Sequence, residues 1–281
     1  MSTTLVKLVQ FTDSHLFADP AGRLRGVPTL AALQATIAAA EADLRGADAV
    51  LATGDLVQDD PEAYLNVREA FGGLGKPVLC IPGNHDDAPT LRRVLADPPF
   101  QVCGHSDLNA WRVVLLDSSV PQRAAGALAP SQLASLEASL ASAADRHVLI
   151  ALHHHPVPMD SDWLDTVGLE NAEDFFALID RYPAVRAIVF GHVHQAFETT
   201  RRGVRILGTP STCAQFLPHS RDFAVDALPP AYRVLQLEAT GAVSTRIVWL
   251  SAAARERVLT EIPGSRTAAL VQARMARARR P

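Results

Sequence analysis

The sequence predicts an α/β fold with a largely parallel sheet in its first half. Three observations support this prediction. Apolar runs typical of buried strands alternate with helical patterns, most of these runs stop at a turn, and 48% of the 281 residues are hydrophobic. Such an alternation implies parallel strands joined by right-handed crossovers. A chain of this length and composition can bury a sizeable core, and we expect one large domain.

The first five predicted elements have the order β-α-β-α-β. Residues 5–11 form an apolar run that predicts a buried strand, and an Ala-rich pattern with helical spacing follows over 29–44. The next strand is predicted over 47–52 and the next helix over 61–71. Residues 77–81 then form a second apolar run that ends at Pro-Gly, which breaks the strand pattern.

The middle of the chain continues the alternation of strands and helices. Its strands are apolar and short, and its helices have apolar residues at helical spacing. A loop over 160–168 is polar and contains a tryptophan. The predicted elements are a helix over 89–95, a strand over 111–116, a helix over 130–143, a strand over 147–152, a helix over 170–179 and a strand over 185–190.

The last third of the chain has a different character. Short strand patterns separated by turns predict an antiparallel continuation around a second sheet, with strands over 197–200, 204–207, 232–237 and 243–250. From Ser251 onward two helical stretches follow, and no acidic residue but several arginines come after Glu261. We therefore predict a domain over 1–250 and a helical, basic tail over 251–281, where a solvated chain end is the simplest interpretation.

Charge and cysteine content restrict the kind of protein. The formal net charge is -4, so the chain as a whole has no attraction for nucleic acid or an anionic membrane surface. Three cysteines without zinc-finger spacing predict neither a disulfide framework nor a thiolate metal site. The amino-terminal residues lack a signal-peptide pattern, and no run approaches membrane-spanning length. We expect a soluble protein of the reducing cytoplasm that needs no membrane or nucleic-acid partner.

Potential metal ligands follow five of the predicted strands. A single histidine at a strand end is usually an ordinary polar residue near the surface, but here the pattern recurs. Because the carboxyl ends of parallel strands share one edge of a sheet, these side chains should meet in one cleft. The groups are Asp13 with His15, then Asp55, then Asn84 with His85 and Asp86, then His153 with His154 and His155, and finally His192 with His194.

These donors predict a pair of metal ions. Oxygen and imidazole ligands without thiolate favour Mn, Fe, Co or Zn. There are too many ligands for one ion, whereas two ions about 3.5–4 Å apart and bridged by a carboxylate would use them. Asp55 is the candidate bridge, because its strand end carries one ligand and lies between the others in chain order.

The ligand motifs resemble those of the calcineurin-like metallophosphoesterase family. They are Asp13-Ser-His15, Gly54-Asp55, Gly83-Asn84-His85-Asp86, His153 and Gly191-His192-Val-His194. Within the family the chain is most similar to bacterial class III 3′,5′-cyclic-AMP phosphodiesterases, through segments 12–17, 153–158 and 209–216. The resemblance runs from about residue 5 to 250, and it implies a four-layer αββα sandwich.

The resemblance also implies a ligand set for each of two metal ions. Iron and manganese are the expected metals, with zinc or cobalt as alternatives. His153 is the expected histidine of its motif, although His154 could replace it. The first ion would be held by Asp13, His15, Asp55 and His194, and the second by Asp55, Asn84, His153 and His192.

The activity implied by the resemblance is hydrolysis of 3′,5′-cyclic AMP to 5′-AMP, with a hydroxide that bridges the two metals as the nucleophile. His85 would bind the phosphate or protonate the leaving oxygen, and Asp86 would fix the tautomer of that imidazole. Substrate contacts are expected from Asn84, His85, His154 and His194.

Other functions stay open at this point. The same metal chemistry would serve a phosphodiesterase for other diesters, such as 2′,3′-cyclic nucleotides or glycerophosphodiesters. A nuclease-like enzyme that uses the arginine tail, or a binding module without activity, fits the sequence less well. Trp163, Phe216 and His219 either contact the base of a nucleotide or are ordinary packing residues. A homodimer is expected from the resemblance alone.

Overall fold

The structure is a computed structural model, and it describes residues 5–260 of the chain. Strands and helices contribute similar shares of the regular structure. Several of them are short hairpin strands that the sequence analysis did not predict. The strands are β1 (Val6–Phe11), β2 (Arg23–Leu24), β3 (Val27–Pro28), β4 (Ala49–Thr53), β5 (Val78–Ile81), β6 (Phe100–Val102), β7 (Gly104–Leu108), β8 (Trp111–Leu115), β9 (His147–Ala151), β10 (Val185–Phe190), β11 (Phe197–Arg201), β12 (Val204–Gly208), β13 (Gln215–Phe216), β14 (Val225–Asp226), β15 (Ala231–Leu237) and β16 (Val243–Trp249).

The helices lie where the helical patterns predict them, with local differences. The helix predicted over 29–44 is divided at Ala40, and the one predicted over 61–71 begins with a 3-10 turn, Pro61–Ala63. The polar loop over 160–168 contains a short helix that the sequence analysis missed. The helices are α1 (Thr29–Ala39), α2 (Glu41–Arg45), α3 (Tyr64–Gly72), α4 (Ala88–Val94), α5 (Pro130–Ala141), α6 (Asp162–Asp165), α7 (Ala172–Ile179) and α8 (Ala252–Thr260).

Two six-stranded mixed sheets form the centre of the fold. The first has the order β16-β15-β1-β4-β5-β6, in which the neighbours from β1 to β6 are parallel and the β15 contacts are antiparallel. The second has the order β11-β12-β10-β9-β8-β7, in which β12, β10, β9 and β8 are parallel. In both sheets, therefore, several parallel strands end at the same edge.

The last strands differ from the sequence prediction of one antiparallel continuation. β11 and β12 do extend the second sheet, but β12 runs parallel to β10. β15 and β16 return to the first sheet, where β15 pairs with β1. The prediction was wrong about this distribution because antiparallel turns alone do not determine which sheet a late strand joins.

The packing of the sheets and helices confirms the four-layer αββα architecture. Apolar residues of the first sheet that include Val9 and Val50 pack against α1 and α3. The opposite face, with Leu8 and Leu51, packs against the second sheet. The outer face of the second sheet, for example Ile150, packs against α5 and α7. Alternate residues of one strand thus serve two different core layers, as the period of a strand requires.

The basic tail is described in part. Its first predicted helical stretch is α8, in which Val258 is buried. Residues 261–281, with the arginines of the predicted tail, lie outside the described residues. The division of the chain at residue 250 stays a prediction.

Candidate metal centre

The predicted ligands lie together where the parallel strands of both sheets end. Three sets of donor atoms form here, and within each set all atoms lie within 4.8 Å of one another. Asp55 belongs to two of these sets, which is the arrangement expected for a carboxylate that bridges two ions. The sets are Asp13, His15 and His194, then His15, Asp55 and His85, and then Asp55, His153 and His192.

The first set is closely packed and its imidazoles are oriented by the protein. The His194 Nε2 atom lies 3.2 Å from Asp13 Oδ1 and 3.1 Å from His15 Nε2. His194 Nδ1 lies 2.6 Å from the carbonyl oxygen of Ala214, to which it donates. That contact fixes the tautomer and leaves the Nε2 lone pair directed at the neighbouring ligands, as is usual for metal-binding histidines.

The third set, Asp55 with His153 and His192, and the predicted ligand Asn84 have donor atoms that lack a hydrogen-bond partner in the described part of the chain. His153 Nδ1 donates to the carbonyl oxygen of Thr53 at 2.8 Å, so its Nε2 carries the lone pair, 3.4 Å from Asp55 Oδ2. His153 Nε2, Asn84 Oδ1 and His192 Nε2 are buried without a hydrogen-bond partner. Buried polar atoms are normally satisfied, so these nitrogen and oxygen donors fit a divalent metal ion.

Five of the predicted ligands have a left-handed backbone conformation. Their φ angles lie between 47° and 66°, a region that non-glycine residues rarely occupy. Such strain persists only where the surrounding structure imposes it, and it is concentrated at functional sites. The backbone of the strand ends is thus held in shape for the ligands. The residues are Asp13, His15, Asp55, His192 and His194.

Glycines allow the loops of the centre to approach one another. A Cβ atom on Gly83 would lie 2.5 Å from the Asp55 nitrogen and 2.7 Å from His153 Nε2. A Cβ atom on Gly191 would lie 2.6 Å from Asp13 Oδ2. Neither separation is tolerated between non-bonded atoms, so the Gly-Asn-His-Asp and Gly-His-Val-His motifs need glycine for close packing.

The structure corrects the predicted partner of His85. Among the described residues, its Nδ1 atom contacts Asp59 Oδ2 and the Gln58 side-chain amide, each at 2.9 Å, and not Asp86. Burial alone would lower the pKa of His85, but the carboxylates of Asp55 and Asp59 raise it. The sequence analysis missed Asp59, although it follows Gly54-Asp55 by only a few residues. Asp59 therefore takes the orienting position predicted for Asp86.

Asp86 instead connects two loops of the centre. Its Oδ2 atom accepts from Gly83 N at 2.9 Å and Leu56 N at 3.1 Å. Its Oδ1 atom accepts from the Tyr64 hydroxyl at 2.9 Å. Burial and the nearby Asp55 carboxylate raise the pKa of Asp86 to about 6. This carboxyl group therefore holds the loop after β5 against the loop after β4, and it reaches His85 only through the backbone.

Buried ion pairs dominate the electrostatics of the centre. Burial opposes charge on both Asp55 and His153, but their mutual attraction raises the pKa of His153 to about 9 and holds the pKa of Asp55 well below its usual range. Burial lowers the pKa of His15 to about 4 although Asp55 is near. A cation bound at His153 Nε2 would replace the proton there, and the carboxylate charge of Asp55 with the neutral imidazole of His15 suits a divalent cation.

The two histidines after His153 have separate surroundings. His154 is buried and its Nδ1 atom lies 2.8 Å from Ser118 Oγ, a contact that the sequence analysis did not predict. Its Nε2 atom has no hydrogen-bond partner in the described part of the chain. His155 stacks on the His192 ring, with 5.6 Å between the ring centroids. His153, rather than His154, belongs to a set of donors close enough for a metal, which supports the first of the two predicted choices.

A cluster of aromatic side chains packs against the candidate metal centre. The Phe216 ring stacks on the His194 ring, with centroids 3.9 Å apart and an interplanar angle of 6°. Trp163 and Phe223 contact Phe216 edge to face at centroid distances of 5.3 and 5.2 Å. His219 lies on the exposed loop nearby. Phe216 is therefore part of the metal centre's wall, and Phe223, which the sequence analysis did not single out, extends it.

The four-layer fold and the overlapping ligand sets define a metallophosphoesterase. The Calcineurin-like phosphoesterase family matches residues 6–196. The chain belongs to this family.

Curated relatives cover most of the chain. A protein of Vibrio vulnificus named 3′,5′-cyclic adenosine monophosphate phosphodiesterase CpdA is 41% identical over 88% of this chain and 91% of its own length. A protein of the same name from Pseudomonas aeruginosa is 41% identical over 86% of this chain and 89% of the relative. A 3′,5′-cyclic-nucleotide phosphodiesterase of Nostoc is 37% identical over 86% of this chain and 91% of the relative.

Solved structures share the fold. A dimetal phosphatase of Danio rerio superimposes with a TM-score of 0.60 at 17% identity, over 88% of this chain and 99% of that one. The protein TT1561 of Thermus thermophilus has a TM-score of 0.55 at 13% identity, over 86% and 99% of the two chains. Among the described helices, none has both the length and the apolar character needed to cross a membrane.

Proposed function

We propose that this protein hydrolyses 3′,5′-cyclic AMP to 5′-AMP at a centre of two metal ions. The observation that carries the proposal is the pair of donor sets that share Asp55: His15, Asp55 and His85 follow strands of the first sheet, whereas Asp55, His153 and His192 come from both sheets. The substrate follows from the relatives named 3′,5′-cyclic AMP phosphodiesterases, which match this chain over most of its length.

In this proposal each metal ion has four protein ligands. Bound metal ions supply Lewis acidity and lower the pKa of a water molecule, which is the chemistry that attack on a phosphodiester requires. The donors lack thiolate, so iron and manganese suit them, and zinc or cobalt remain alternatives. One ion would be held by Asp13, His15, Asp55 and His194, and the other by Asp55, Asn84, His153 and His192.

His85 protonates the leaving group in the proposed mechanism. Water adds to phosphorus, the bond from phosphorus to the 3′ oxygen breaks, and the 3′ oxygen takes up a proton. The His85 side chain is 34% exposed, so substrate can reach it, and Asp59 holds its Nδ1 atom. Its Nε2 atom is left to face the substrate and to donate the proton or to bind a phosphate oxygen.

The other residues predicted to contact the substrate lie around the proposed phosphate position. Asn84 and His194 are ligands that also border the place where the phosphate must lie. His154 would offer its unpartnered Nε2 atom. Asp86 supports the reaction by holding the loop that carries Asn84 and His85, through its bonds to Gly83 and Leu56. The base lies beside the aromatic cluster of Phe216, Trp163 and Phe223.

The test is turnover of competing diesters by metal-stripped protein reloaded with Mn²⁺ or Fe²⁺. We expect the highest kcat/KM for 3′,5′-cyclic AMP, compared with 2′,3′-cyclic AMP and bis(p-nitrophenyl) phosphate. The Asn84→Ala variant should lose turnover of all three. If 2′,3′-cyclic AMP or the simple diester is preferred by more than about tenfold, which is about 1.4 kcal/mol of transition-state binding, the enzyme is a broader phosphodiesterase.

Three further expectations concern the environment of the enzyme. A cytoplasmic location is supported by the three cysteines, all of them free thiols. A homodimer is expected from the resemblance and is checked by the mass in solution. Nucleic acid is not an expected partner because of the net charge of -4, and a steep salt dependence of RNA or DNA binding would contradict this.

A further inference from the structure

A buried chain of polar side chains lies between the two sheets, directly beneath the metal centre. Gln10 on β1 faces the second sheet, and Arg233 on β15 is its neighbour in the antiparallel register. Thr209, which follows β12, reaches between them from the second sheet, and Thr53 ends β4. Gln10, Thr53 and Thr209 are 0% exposed and Arg233 is 2% exposed.

The direction of the hydrogen bonds in this chain follows from the Arg233 guanidinium at one end and the Phe190 carbonyl oxygen at the other. A guanidinium group only donates, and its Nε atom lies 2.9 Å from Thr209 Oγ1. The Thr209 hydroxyl donates to Gln10 Oε1 at 2.7 Å, because the Phe190 carbonyl oxygen on the other side of the amide only accepts and so requires the Gln10 nitrogen there. This assigns the Gln10 amide, whose Nε2 atom donates to Thr53 Oγ1 at 2.9 Å and to the carbonyl oxygen of Phe190 at 3.4 Å.

The Gln10 amide thus joins the two halves of the metal centre. Thr53 belongs to the first sheet and directly precedes Gly54-Asp55. Phe190 belongs to the second sheet and directly precedes the Gly-His-Val-His motif. The carbonyl oxygen of Thr53 also accepts from His153 Nδ1 at 2.8 Å, so Thr53 is bonded to Gln10 through its side chain and to a predicted ligand through its backbone.

The burial of Arg233 supports a role beyond ordinary packing. In the described part of the chain no carboxylate forms a salt bridge with it, although Glu198 is near enough to favour its charge, and its other donors go to Thr245, Gly208 and Phe197. A buried charge without an opposite charge is unfavourable unless hydrogen bonds hold it. Apolar residues would fill the space between two sheets without that penalty.

We infer that Gln10, Thr209 and Arg233 are positioning residues that set the separation between the ligands of the first sheet and those of the second. The inference rests on the proposed two-metal centre. The three residues do not touch the substrate. They act through Thr53 and Phe190, the last strand residues before Asp55 and before His192.

The test replaces Thr209 by valine, which has nearly the same shape and lacks the hydroxyl group. Metal-stripped wild type and Thr209→Val are titrated with Mn²⁺, and the EPR spectrum of the loaded protein is recorded. We expect the affinity for the second Mn²⁺ to fall about 10–100-fold, as after loss of other groups that orient metal ligands. The spectrum of the spin-coupled Mn²⁺ pair should change, and Thr209→Ser should restore both.

A matched control separates this effect from the loss of any buried hydroxyl. Thr36 is 0% exposed, and its hydroxyl donates to the Ala32 carbonyl oxygen within α1. Thr36→Val should keep the affinity for the second Mn²⁺ and the coupled spectrum. If Thr209→Val titrates like Thr36→Val, the inference is wrong.

A second variant and the wild-type metal content complete the test. If Thr209→Val does not fold, Gln10→Met is titrated instead, because methionine removes the amide but keeps the length of the side chain. An unchanged affinity of Gln10→Met for the second Mn²⁺ overturns the inference. A wild-type protein that binds fewer than two Mn²⁺ ions would overturn the proposed metal centre and this inference with it. Two bound ions in the wild type and unchanged binding in the variants would overturn the inference alone.

Discussion

At the scale of single residues, the orientation of His85 is the detail on which the proposed chemistry depends. Asp59 Oδ2 lies 2.9 Å from His85 Nδ1, and the side chain of Asp59 is 66% exposed. Its own φ angle of 52° is left-handed. A strained residue that holds a carboxylate against an imidazole is typical of a group that fixes a tautomer.

Asp59→Asn should therefore lower kcat more than it raises KM. The amide can still accept a hydrogen bond, but it no longer favours a protonated imidazole. We expect kcat to fall by a factor on the order of 10–100, as for other groups that orient a catalytic imidazole. The basic half of the pH profile of kcat should also shift to lower pH, because His85 must be protonated to act as the acid and its pKa loses one of the carboxylates that raise it.

Glu62→Gln is the control, since it removes the same charge from an exposed side chain close in sequence. It should leave both kcat and the pH profile unchanged. Metal content should be equal in the two variants and the wild type. Equal kcat in Asp59→Asn and wild type would contradict the orienting role.

At the scale of elements, the centre depends on the distance between the strand-end loops. The loop after β5 lies against the loop after β4 through the His85 backbone nitrogen, 2.9 Å from Asp55 Oδ1, and through the bonds of Asp86. The second sheet contacts the first through the His192 backbone nitrogen, which lies 3.0 Å from Asp13 Oδ1. Loop contacts therefore hold the ligands even where their side chains have no protein partner.

Gly83→Ala should separate the loops after β4 and β5. The added methyl group would meet the Asp55 backbone and the His153 ring, so the loop must move. We expect the free energy of unfolding to fall by about 1–3 kcal/mol, together with weaker binding of the second metal ion. Urea unfolding and metal titration measure the two effects.

Gly73→Ala provides the comparison at a helix end. Gly73 follows α3 with a φ angle of -82°, and a Cβ atom there would meet nothing within 4 Å. The free energy of unfolding of Gly73→Ala should stay the same or rise by about 0.4–1 kcal/mol, because alanine restricts the unfolded chain. A Gly83→Ala protein as stable as Gly73→Ala, with normal metal binding, would show that the close approach is unimportant.

At the scale of the whole molecule, ion pairs far from the metal centre connect α2 to the first sheet. Asp43 on α2 accepts from Lys7 on β1 at 2.7 Å, from Arg246 on β16 at 2.5 Å and from the Tyr232 hydroxyl at 2.9 Å. Burial alone would raise the pKa of Asp43, but these hydrogen bonds lower it. The carboxylate therefore stabilises the folded protein.

This stabilisation depends on pH in a defined direction. Because the pKa of Asp43 is lower in the folded protein than in the unfolded chain, the contribution is complete above about pH 4–5. It is lost as the pH falls through the folded pKa. Asp43→Asn should thus lower the free energy of unfolding by about 1–3 kcal/mol at pH 7. The difference from wild type should be much smaller at pH 3.

Urea unfolding at the two pH values measures this difference. Asp97→Asn is the control, because Asp97 is exposed and its side chain makes no hydrogen bond in the described part of the chain. That variant should match the wild type at both pH values. An Asp43→Asn difference that is independent of pH would point to lost packing rather than to the charge.

Much of the fold was predictable because its signals are local. Strand and helix periods extend over a few residues, so the apolar runs that became β1, β4 and β5 were predicted close to their observed bounds. The joining of β15 to β1 could not be predicted, because that pairing brings together two strands that more than 200 residues of chain separate.

By itself, the sequence determined which residues stand at the ends of the strands, and hence the donors Asp13, Asp55, Asn84 and His192, because strand period and turn residues act locally. Only the tertiary structure decided that Asp59, not Asp86, contacts His85, and that Gln10 joins Thr53 to Phe190. These partners are brought together by the packing of loops and of two sheets. No local pattern specifies such contacts, since they depend on where separate segments meet in space.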